Sequence, residues 1–349
     1  MVEELLKAAF IGGLRSLIEY LSAHVLTCLI PAFFIAGAMS ALLPKAAIIK
    51  HLGSRTRWYT SYPLAVAAGL LLAVCSCTIL PLFAGIRKKG AGLGPALAFL
   101  YTAPATNILA IMFTGSVLGW DFALARIILS VIFAVIIGII LSRLFKETQE
   151  EEKEGMNSAA DAAKFGWRHS ILFASLLAVL FLGTWKVPPA VRFIGIGVLI
   201  ISVILQMKRW FTKDERLSWM RESWSFMKMI FPLLLAGIFI AGVLGALLPE
   251  NILVTHFGSN TLFANFFAVL FGVIMYFPTL VEVPMANMFL SLGMSKGPLL
   301  AYMLADPVIS LASILVVRKL IGTKRTLAYV ILIIIFCTIA GLIYGSVAR

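Results

Sequence analysis

Apolar runs of membrane-spanning length recur from one end of this chain to the other. A helix needs about 20 mainly apolar residues to cross the hydrocarbon core of a bilayer. Hydrophobic residues make up 61% of the 349 residues and charged residues only 13%, which excludes an ordinary soluble domain. Because backbone groups inside lipid must form their hydrogen bonds within the protein, these runs predict helices. We therefore expect an all-α polytopic membrane protein in a lipid bilayer.

The apolar runs give about 8–10 spans and a division of the chain into six parts. The candidate spans are 24–43, 62–84, 95–118, 122–144, 170–186, 190–207, 227–248, 261–290, 298–317 and 326–346. The predicted parts are an interfacial amphipathic helix (1–22), a first transmembrane repeat (23–146), a polar acidic loop (147–169), a central transmembrane hairpin (170–207), a polar connector (208–225) and a second transmembrane repeat (226–349).

The net charge of +13 lies mainly in short connectors between the apolar runs, such as "RKKG" (87–90) and "VRKLIGTKR" (317–325). Lys and Arg in short loops are the usual orientation signal of a membrane protein. No basic, aromatic-rich soluble region is present, so we expect no nucleic-acid partner. The four cysteines lie in apolar segments, which is not the pattern of a secreted disulfide framework. No motif for a cofactor or for ATP appears.

An internal repeat is indicated by prolines and glycines that recur in one register. Residues 81–107 align with 284–310 at an offset of 203, so that Gly94-Pro95 matches Gly297-Pro298 and Pro104 matches Pro307. Upstream, 42–54 and 247–259 align at an offset of 205 and share a His-x-Gly-Ser tetrapeptide. Repeats of this kind are common in secondary transporters. We expect two homologous four-span repeats joined by a two-span hairpin.

The relative orientation of the two repeats stays open at this point. An even number of intervening spans would make the repeats parallel. The basic connectors 87–90 and 317–325 would then lie on opposite faces, which conflicts with the positive-inside rule. Either a span is miscounted or one segment is re-entrant.

Four proline interruptions of the apolar runs predict where a solute site lies. They fall at Cys75–Pro81, Tyr101–Asn107, Phe277–Pro284 and Leu304–Ser310, as two equivalent pairs. Proline removes a backbone donor and breaks a helix, and inside lipid the freed groups need other partners. Broken helices in corresponding positions of two halves are typical of a transporter binding site.

Two carboxylates at these interruptions, Glu282 and Asp306, are candidates for ion or proton coupling. A carboxylate at the centre of a transmembrane helix costs roughly 2.5–3.5 kcal/mol on insertion scales, so it usually faces a cavity and serves a function. The alternatives are that Glu282 sits near a membrane face, and that Asp306 caps the half-helix beginning at Pro307.

Two thiols, Cys75 and Cys77, are candidates for binding a soft solute, because thiolates are soft ligands. Residues two apart on a continuous helix face away from each other, so both thiols reach one solute only where the backbone is unwound. The alternative is that both cysteines are small packing residues.

Further residues at the interruptions are predicted to complete a substrate-binding lining. Asn107 can donate and accept a hydrogen bond, or it can satisfy backbone groups freed by Pro104. His51 and His256 repeat symmetrically, which indicates a shared structural turn. The predicted lining beside the thiols is Ser76, Thr102, Pro104, Asn107, Thr279 and Ser310.

The stretch "CSCTILPLFAGIRKKGAGLGPALAFLYTAPATN" (75–107) resembles a family of predicted permeases that includes the ArsP-type exporters of trivalent organoarsenicals. The stretch "GPLLAYMLADPVIS" (297–310) is also similar to that family. The resemblance implies at least eight helices in the bacterial or archaeal cytoplasmic (inner) membrane, and efflux driven by an ion gradient.

These observations predict a secondary-active permease for a soft or thiophilic small-molecule solute such as trivalent arsenicals, rather than an enzyme. Its site would lie at the interface of the repeats, with a proton as the coupling ion, and self-association into a homo-oligomer would be compatible with it. Two alternatives stay open. One is a permease or channel for a different solute with packing cysteines; the other is a membrane thiol–disulfide oxidoreductase that uses Cys75 and Cys77.

Overall fold

The computed structural model describes residues 2–22, 29–42, 45–54, 56–72, 74–145, 167–184, 189–247, 257–275, 277 and 281–348. These residues are helical apart from short turns and contain no strand. The helices are α1 (Val2–Tyr20), α2 (Ile30–Leu42), α3 (Lys45–Leu52), α4 (Trp58–Leu72), α5 (Ser76–Lys88), α6 (Leu93–Ala105), α7 (Ile108–Val117), α8 (Trp120–Leu144), α9 (Trp167–Thr184), α10 (Pro189–Trp210), α11 (Lys213–Leu247), α12 (Leu262–Ile274), α13 (Glu282–Ser291), α14 (Lys296–Ala305), α15 (Leu311–Ile321) and α16 (Thr323–Val347).

Several of these helices are apolar enough for a membrane protein. Within the described ranges, three are long and apolar enough to cross a bilayer on their own: α8, residues 213–243 of α11, and α16. The pair α6 and α7 forms a fourth span if its 45° bend is counted as one broken crossing. Shorter apolar helices, including α2 and α12, surround them. The all-α fold is therefore confirmed, while the count of 8–10 spans stays a prediction.

The helix α1 packs against the second half of α11, where Gly13 meets the Phe239 ring. Phe10, Ile11 and Ile18 are more than half exposed. Exposed aliphatic and aromatic side chains on one face of a helix fit contact with lipid. The predicted interfacial position of residues 1–22 depends on a bilayer and stays a prediction.

The chain breaks close to the four predicted interruptions, with one shift. Helix α6 ends at Ala105, α12 at Ile274 and α14 at Ala305, and each is followed within a few residues by a new helix. The first break includes residues 74 and 75, at the start of the predicted interval Cys75–Pro81, and Pro81 is inside α5. A proline inside a helix removes one backbone hydrogen bond. Here α5 continues through Pro81, and α2, α6, α11 and α15 pack around it.

Helices α4 and α5 fold back on themselves instead of making the single crossing expected for 62–84. The Tyr62 hydroxyl, near the start of α4, donates to Ser142 Oγ at 3.1 Å, near the end of α8. Gly94, at the start of α6, lies against the Tyr62 ring system, and α5 ends just before this point. The two ends of the α4–α5 pair therefore lie at one face, as in a re-entrant hairpin.

Helices α12 and α13 fold back in the same way, instead of crossing once over 261–290. Asn260, two residues before α12, donates to the Leu342 carbonyl at 3.0 Å near the end of α16. Ser295, just after α13, donates its backbone N–H to the Phe257 carbonyl at 2.9 Å. Both ends of this second hairpin thus lie at the end of α16.

The long helices α8 and α16 run antiparallel. Phe122 stacks on Tyr344 with ring centroids 5.4 Å apart, and eleven residues later Phe133 meets Phe336 at 5.3 Å. Because the two helices run in opposite directions, the end of α8 and the end of α16 lie at opposite faces. The first hairpin therefore opens at one face and the second hairpin at the other.

Helix bounds in the two halves coincide at the offset found in the sequence. Adding 203 to the bounds of α8 gives 323–347, which are those of α16, and α7 maps onto 311–320, within one residue of α15. Gly119 and Gly322, which precede α8 and α16, have φ of 107° and 87°. Positive φ is a conformation that glycine adopts readily, so both helix starts use the same turn chemistry.

Several predicted features lie outside the described residues. They are Thr279 of the predicted lining, His256, Cys28 and most of the acidic loop 147–169. His51 is described and exposed at the end of α3.

Candidate functional site

A buried ion pair joins the two halves of the molecule. Arg126 Nη2, in the first two turns of α8, donates to Glu282 Oε2 at 2.9 Å, at the start of α13. Both side chains are 0% exposed. Removing two charges from water costs several kcal/mol per ion, and this cost is offset only by good geometry and further hydrogen bonds. Such a pair in a membrane protein marks a candidate functional site.

The Arg126 guanidinium also supports the break between α6 and α7. Its Nε donates to the Ala105 carbonyl at 3.2 Å, and its Nη1 donates to Thr114 Oγ1 at 3.4 Å. Carbonyls in the last turn of a helix lack partners within the helix. Arg126 therefore satisfies a carbonyl that the break exposes and at the same time reaches across to Glu282.

Glu282 is itself the first residue of α13. A helix N-terminus carries partial positive charge, which favours a carboxylate there. One of its oxygens accepts from Arg126, whereas Oε1 is buried and has no hydrogen-bond partner within the described part of the chain. Glu282 is completely buried within the protein, and the alternative that it sits near a membrane face stays open.

Asp306 is a second buried carboxylate beside this pair. It is 3% exposed, follows the last residue of α14, and packs against Gly272 of α12. Its carboxylate is close enough to Glu282 and Arg126 to interact with both electrostatically. The next helix, α15, begins at Leu311 with Ser310 as its N-cap, so Asp306 does not cap a half-helix beginning at Pro307. We call Arg126, Glu282 and Asp306 the charged cluster.

An aromatic wall flanks the charged cluster. Tyr302, one turn before Asp306, is fully buried. Its ring lies 5.6 Å from Phe289, 6.1 Å from Phe271 and 6.4 Å from Phe277, measured between centroids. Ring faces carry negative electrostatic potential and attract cations. Two carboxylates and four rings give this region a preference for positive charge or for a proton.

Asn107 and Ser310 occupy equivalent positions as helix N-caps. Asn107 Oδ1 accepts from the backbone N–H of Leu109 at 3.0 Å at the start of α7. Ser310 Oγ accepts from Ser313 N at 3.3 Å in a capping box at the start of α15. Both side chains thus satisfy backbone groups at a break, which is one of the two roles considered for Asn107. Their predicted contact with solute is not tested by these bonds.

The thiols lie at the start of α5, away from the elements that carry Glu282. Cys75 has extended backbone (φ −72°, ψ 163°) and its Sγ lies 3.0 Å from Thr78 Oγ1, while Cys77 is 3% exposed inside the helix. Ser76 lies between them and is buried. Helix α5 packs on α2, α6, α11 and α15, whereas α13 packs on α7 and α14. The thiols and Glu282 therefore lie on helices with different neighbours.

Thr102 and Pro104 lie in α6, which packs against α5. The Thr102 hydroxyl donates to the Ala98 carbonyl at 2.8 Å, and its Cβ packs against Gly69 of α4. Pro104 is buried one residue before the end of α6. Both residues thus shape the broken span, and their direct contact with solute stays a prediction.

Arg126 was missed by the sequence reasoning, although a signal was present. It is a lone cation inside the apolar run of α8. A long basic side chain near the end of a span can extend to the interface, so sequence position alone does not separate a lipid-facing arginine from a buried one.

Comparison with known proteins agrees with a membrane protein. A family model described as a predicted permease, ArsP_1, matches residues 11–346. UPF0718 protein MJ0584 of Methanocaldococcus jannaschii is 37% identical over 96% of both chains. UPF0718 protein YraQ of Escherichia coli is 21% identical over 83% of this chain and 68% of its own. No solved structure matches the chain. The chain therefore belongs to the ArsP_1 family of predicted permeases.

Proposed function

We propose that this membrane permease is a secondary-active transporter in which the charged cluster couples solute movement to an ion gradient. The observation that carries the proposal is the fully buried Arg126–Glu282 ion pair with Asp306 beside it. The pair connects α8 of the first half with α13 of the second half. A change in its charge would therefore alter the contact between the two halves.

Charge accounting within the cluster favours proton coupling. Two ionised carboxylates and one guanidinium sum to one negative charge in a region that is closed to water. Leaving an uncompensated charge buried is strongly unfavourable, so one carboxylate holds a proton or a cation when the site is closed. A proton bound at Asp306 or Glu282 on one side of the membrane and released on the other would complete the cycle.

The proposed scaffold consists of two inverted repeats with the charged cluster between them. The coincident helix bounds and the antiparallel α8 and α16 support this arrangement. Each repeat would contribute one re-entrant hairpin and one broken span. Inverted repeats with broken helices at mid-membrane are a recurring plan for alternating access.

The proposed cargo is a soft, thiophilic solute such as a trivalent organoarsenical, exported from the cell. Cys75 and Cys77 at the first break support it, as does the resemblance of residues 75–107 to the exporters. A second candidate is a permease for a different solute, supported by the burial of Cys77 inside α5, where it can serve as a packing residue.

The first test is uptake of methylarsenite into everted membrane vesicles, with and without an imposed proton gradient. The wild type is compared with the Cys75→Ser/Cys77→Ser double variant and with Glu282→Gln. Cys337→Ser and Glu19→Gln serve as matched controls, since Cys337 lies on α16 and Glu19 is an exposed partner of Arg15.

We expect gradient-driven uptake that both test variants lose and both controls keep. Uptake that ignores the gradient and survives Glu282→Gln would contradict coupling at the cluster. Uptake that survives the double cysteine variant would assign the cysteines to packing. No uptake in the wild type would reject the arsenical cargo and favour the second candidate.

A further inference from the structure

A deep apolar groove lies between the central hairpin and both halves of the molecule. It has a volume of about 510 Å³ and is lined by α2, α9, α10 and α11. Its walls include Phe34, Val179, Ile204, Met207 and Met220. None of the predicted solute-site residues or members of the charged cluster lines it, so this groove is separate from the proposed solute path.

The groove opens towards the lipid along α10. Ile200 is 45% exposed and Ile204 is 48% exposed, although both belong to the groove wall. On a helix within an apolar bundle, such side chains face hydrocarbon. An acyl chain of the surrounding bilayer therefore has direct lateral access to the groove without crossing a polar surface.

One end of the groove carries two cations. Lys208 lies in the last turn of α10 and Arg216 in the first turn of α11, on either side of the short turn that joins these helices. Arg216 Nε donates to the Thr212 carbonyl at 3.3 Å. Within the described ranges, no carboxylate forms an ion pair with Lys208 or Arg216.

Of the two acidic residues in the first turn of α11, Asp214 does not line the groove, and Glu215 is bonded to Thr212. Glu215 Oε2 accepts from the backbone N–H and the hydroxyl of Thr212, at 2.8 and 3.1 Å. Glu222 binds Lys88 and Ser40. The positive charge of Lys208 and Arg216 is thus available at the polar end of an otherwise apolar groove.

We propose that this groove binds one anionic phospholipid, with an acyl chain along α10 and its phosphate between Lys208 and Arg216. Basic pockets between transmembrane helices bind anionic head groups in this way. Two cations at one end of an apolar groove that opens towards lipid match an anionic head group joined to an acyl chain. The bound lipid would hold the central hairpin against α2 of the first half and α11 of the second.

The test is native mass spectrometry of the full chain, purified in mild detergent and titrated with phosphatidylglycerol or phosphatidylcholine of identical acyl chains. Four proteins are compared: the wild type, Lys208→Gln/Arg216→Gln, Ile204→Trp, and the control Arg209→Gln/Lys213→Gln. The control removes two cations from the same turn that do not line the groove. Thermal unfolding of each variant confirms that it is folded.

We expect the wild type to prefer phosphatidylglycerol by about tenfold or more, since each nearby basic residue contributes about one kcal/mol to binding of anionic lipid. Lys208→Gln/Arg216→Gln should lose that preference and the control should keep it. Ile204→Trp should lower retention of both lipids by filling the apolar part of the groove.

Equal retention of the two lipids by the wild type would overturn the proposal. The same loss of preference in the control and in Lys208→Gln/Arg216→Gln would overturn it as well, because it would indicate attraction to the turn in general. An excess of glycerol phosphate, which has the head-group charge without acyl chains, should leave the bound lipid in place; displacement would contradict a site built for a lipid.

Discussion

Arg126 and Glu282 form an ion pair that neither water nor lipid reaches. Its three donated bonds show why an arginine is needed here: one guanidinium serves a helix-end carbonyl, a threonine hydroxyl and a carboxylate at once. A lysine ammonium is a point charge and lacks this planar fork of donors. The positions of Glu282 and Asp306 in apolar runs indicated both carboxylates from the sequence. Arg126, the partner of Glu282, became evident only from the packing of α8 against α14 and α16.

The ion pair gives a prediction about stability. Arg126→Met should lower the free energy of unfolding by about 3–5 kcal/mol, because it leaves a buried carboxylate without its cation. The double variant Arg126→Met/Glu282→Leu should recover most of that loss, since no charge is then stranded. Thermal unfolding in detergent measures both.

The matched control for this prediction is Arg143→Met, near the end of α8 and remote from Glu282. A double variant that is as unstable as Arg126→Met alone would show that Arg126 acts through its bonds to Ala105 and Thr114 rather than through the ion pair.

The broken helices set the geometry of the site at the scale of elements. Prolines in the sequence located three of the four breaks, because proline removes a donor wherever it stands. The fourth, at residues 74 and 75, lies six residues before Pro81, which is inside α5, a helix that packs against four others. The sequence also indicated polar side chains at the breaks, and the structure shows Asn107 and Ser310 capping the helices that follow.

Close contact between α11 and α15 provides a test of how tightly the elements are packed. Gly237 lies directly against the backbone of Ala312, so a Cβ added there would overlap Ala312 Cα. Gly237→Ala should lower the free energy of unfolding by about 1–3 kcal/mol, because backbone atoms cannot move aside easily.

Gly197→Ala is the matched control, because nothing lies near a Cβ added at Gly197 in α10. That change should stabilise the helix by up to about 1 kcal/mol, since alanine has the better helix propensity. The comparison is made by thermal unfolding in the same detergent. Equal effects of the two substitutions would contradict the close approach of α11 and α15.

At the scale of the molecule, the proposed inverted orientation of the two halves would remove the conflict between the basic connectors and the positive-inside rule. With α8 and α16 antiparallel and two segments folding back, the turn after α5, the end of α8 and the turn between α15 and α16 lie on one face. The basic residues of these connectors are thus gathered there, as the positive-inside rule requires. They are Arg87, Lys88, Lys89, Arg143, Arg318, Lys319, Lys324 and Arg325. Hydropathy could not reveal this arrangement, because a re-entrant hairpin and a single crossing have the same apolar length.

Labelling of introduced cysteines tests this orientation. In a background without the natural cysteines, Lys89→Cys and Lys324→Cys should react with a membrane-impermeant maleimide from the cytoplasmic side only. Ser291→Cys, at the equivalent turn after α13, should react from the opposite side only. Reaction of positions 89 and 291 from the same side would show that the halves are parallel.

The meeting of two half-length helices at the charged cluster has an electrical consequence. Helix α6 extends from one face and has 13 residues, and α7 extends from the other face and has 10, so neither helix spans the membrane alone. An elementary charge that passes through the full membrane voltage gains roughly 2.3 kcal/mol per 100 mV. A proton carried between the two faces in the proposed cycle would cross all of that field. The membrane potential alone, without any difference in pH, would then be sufficient to drive the permease.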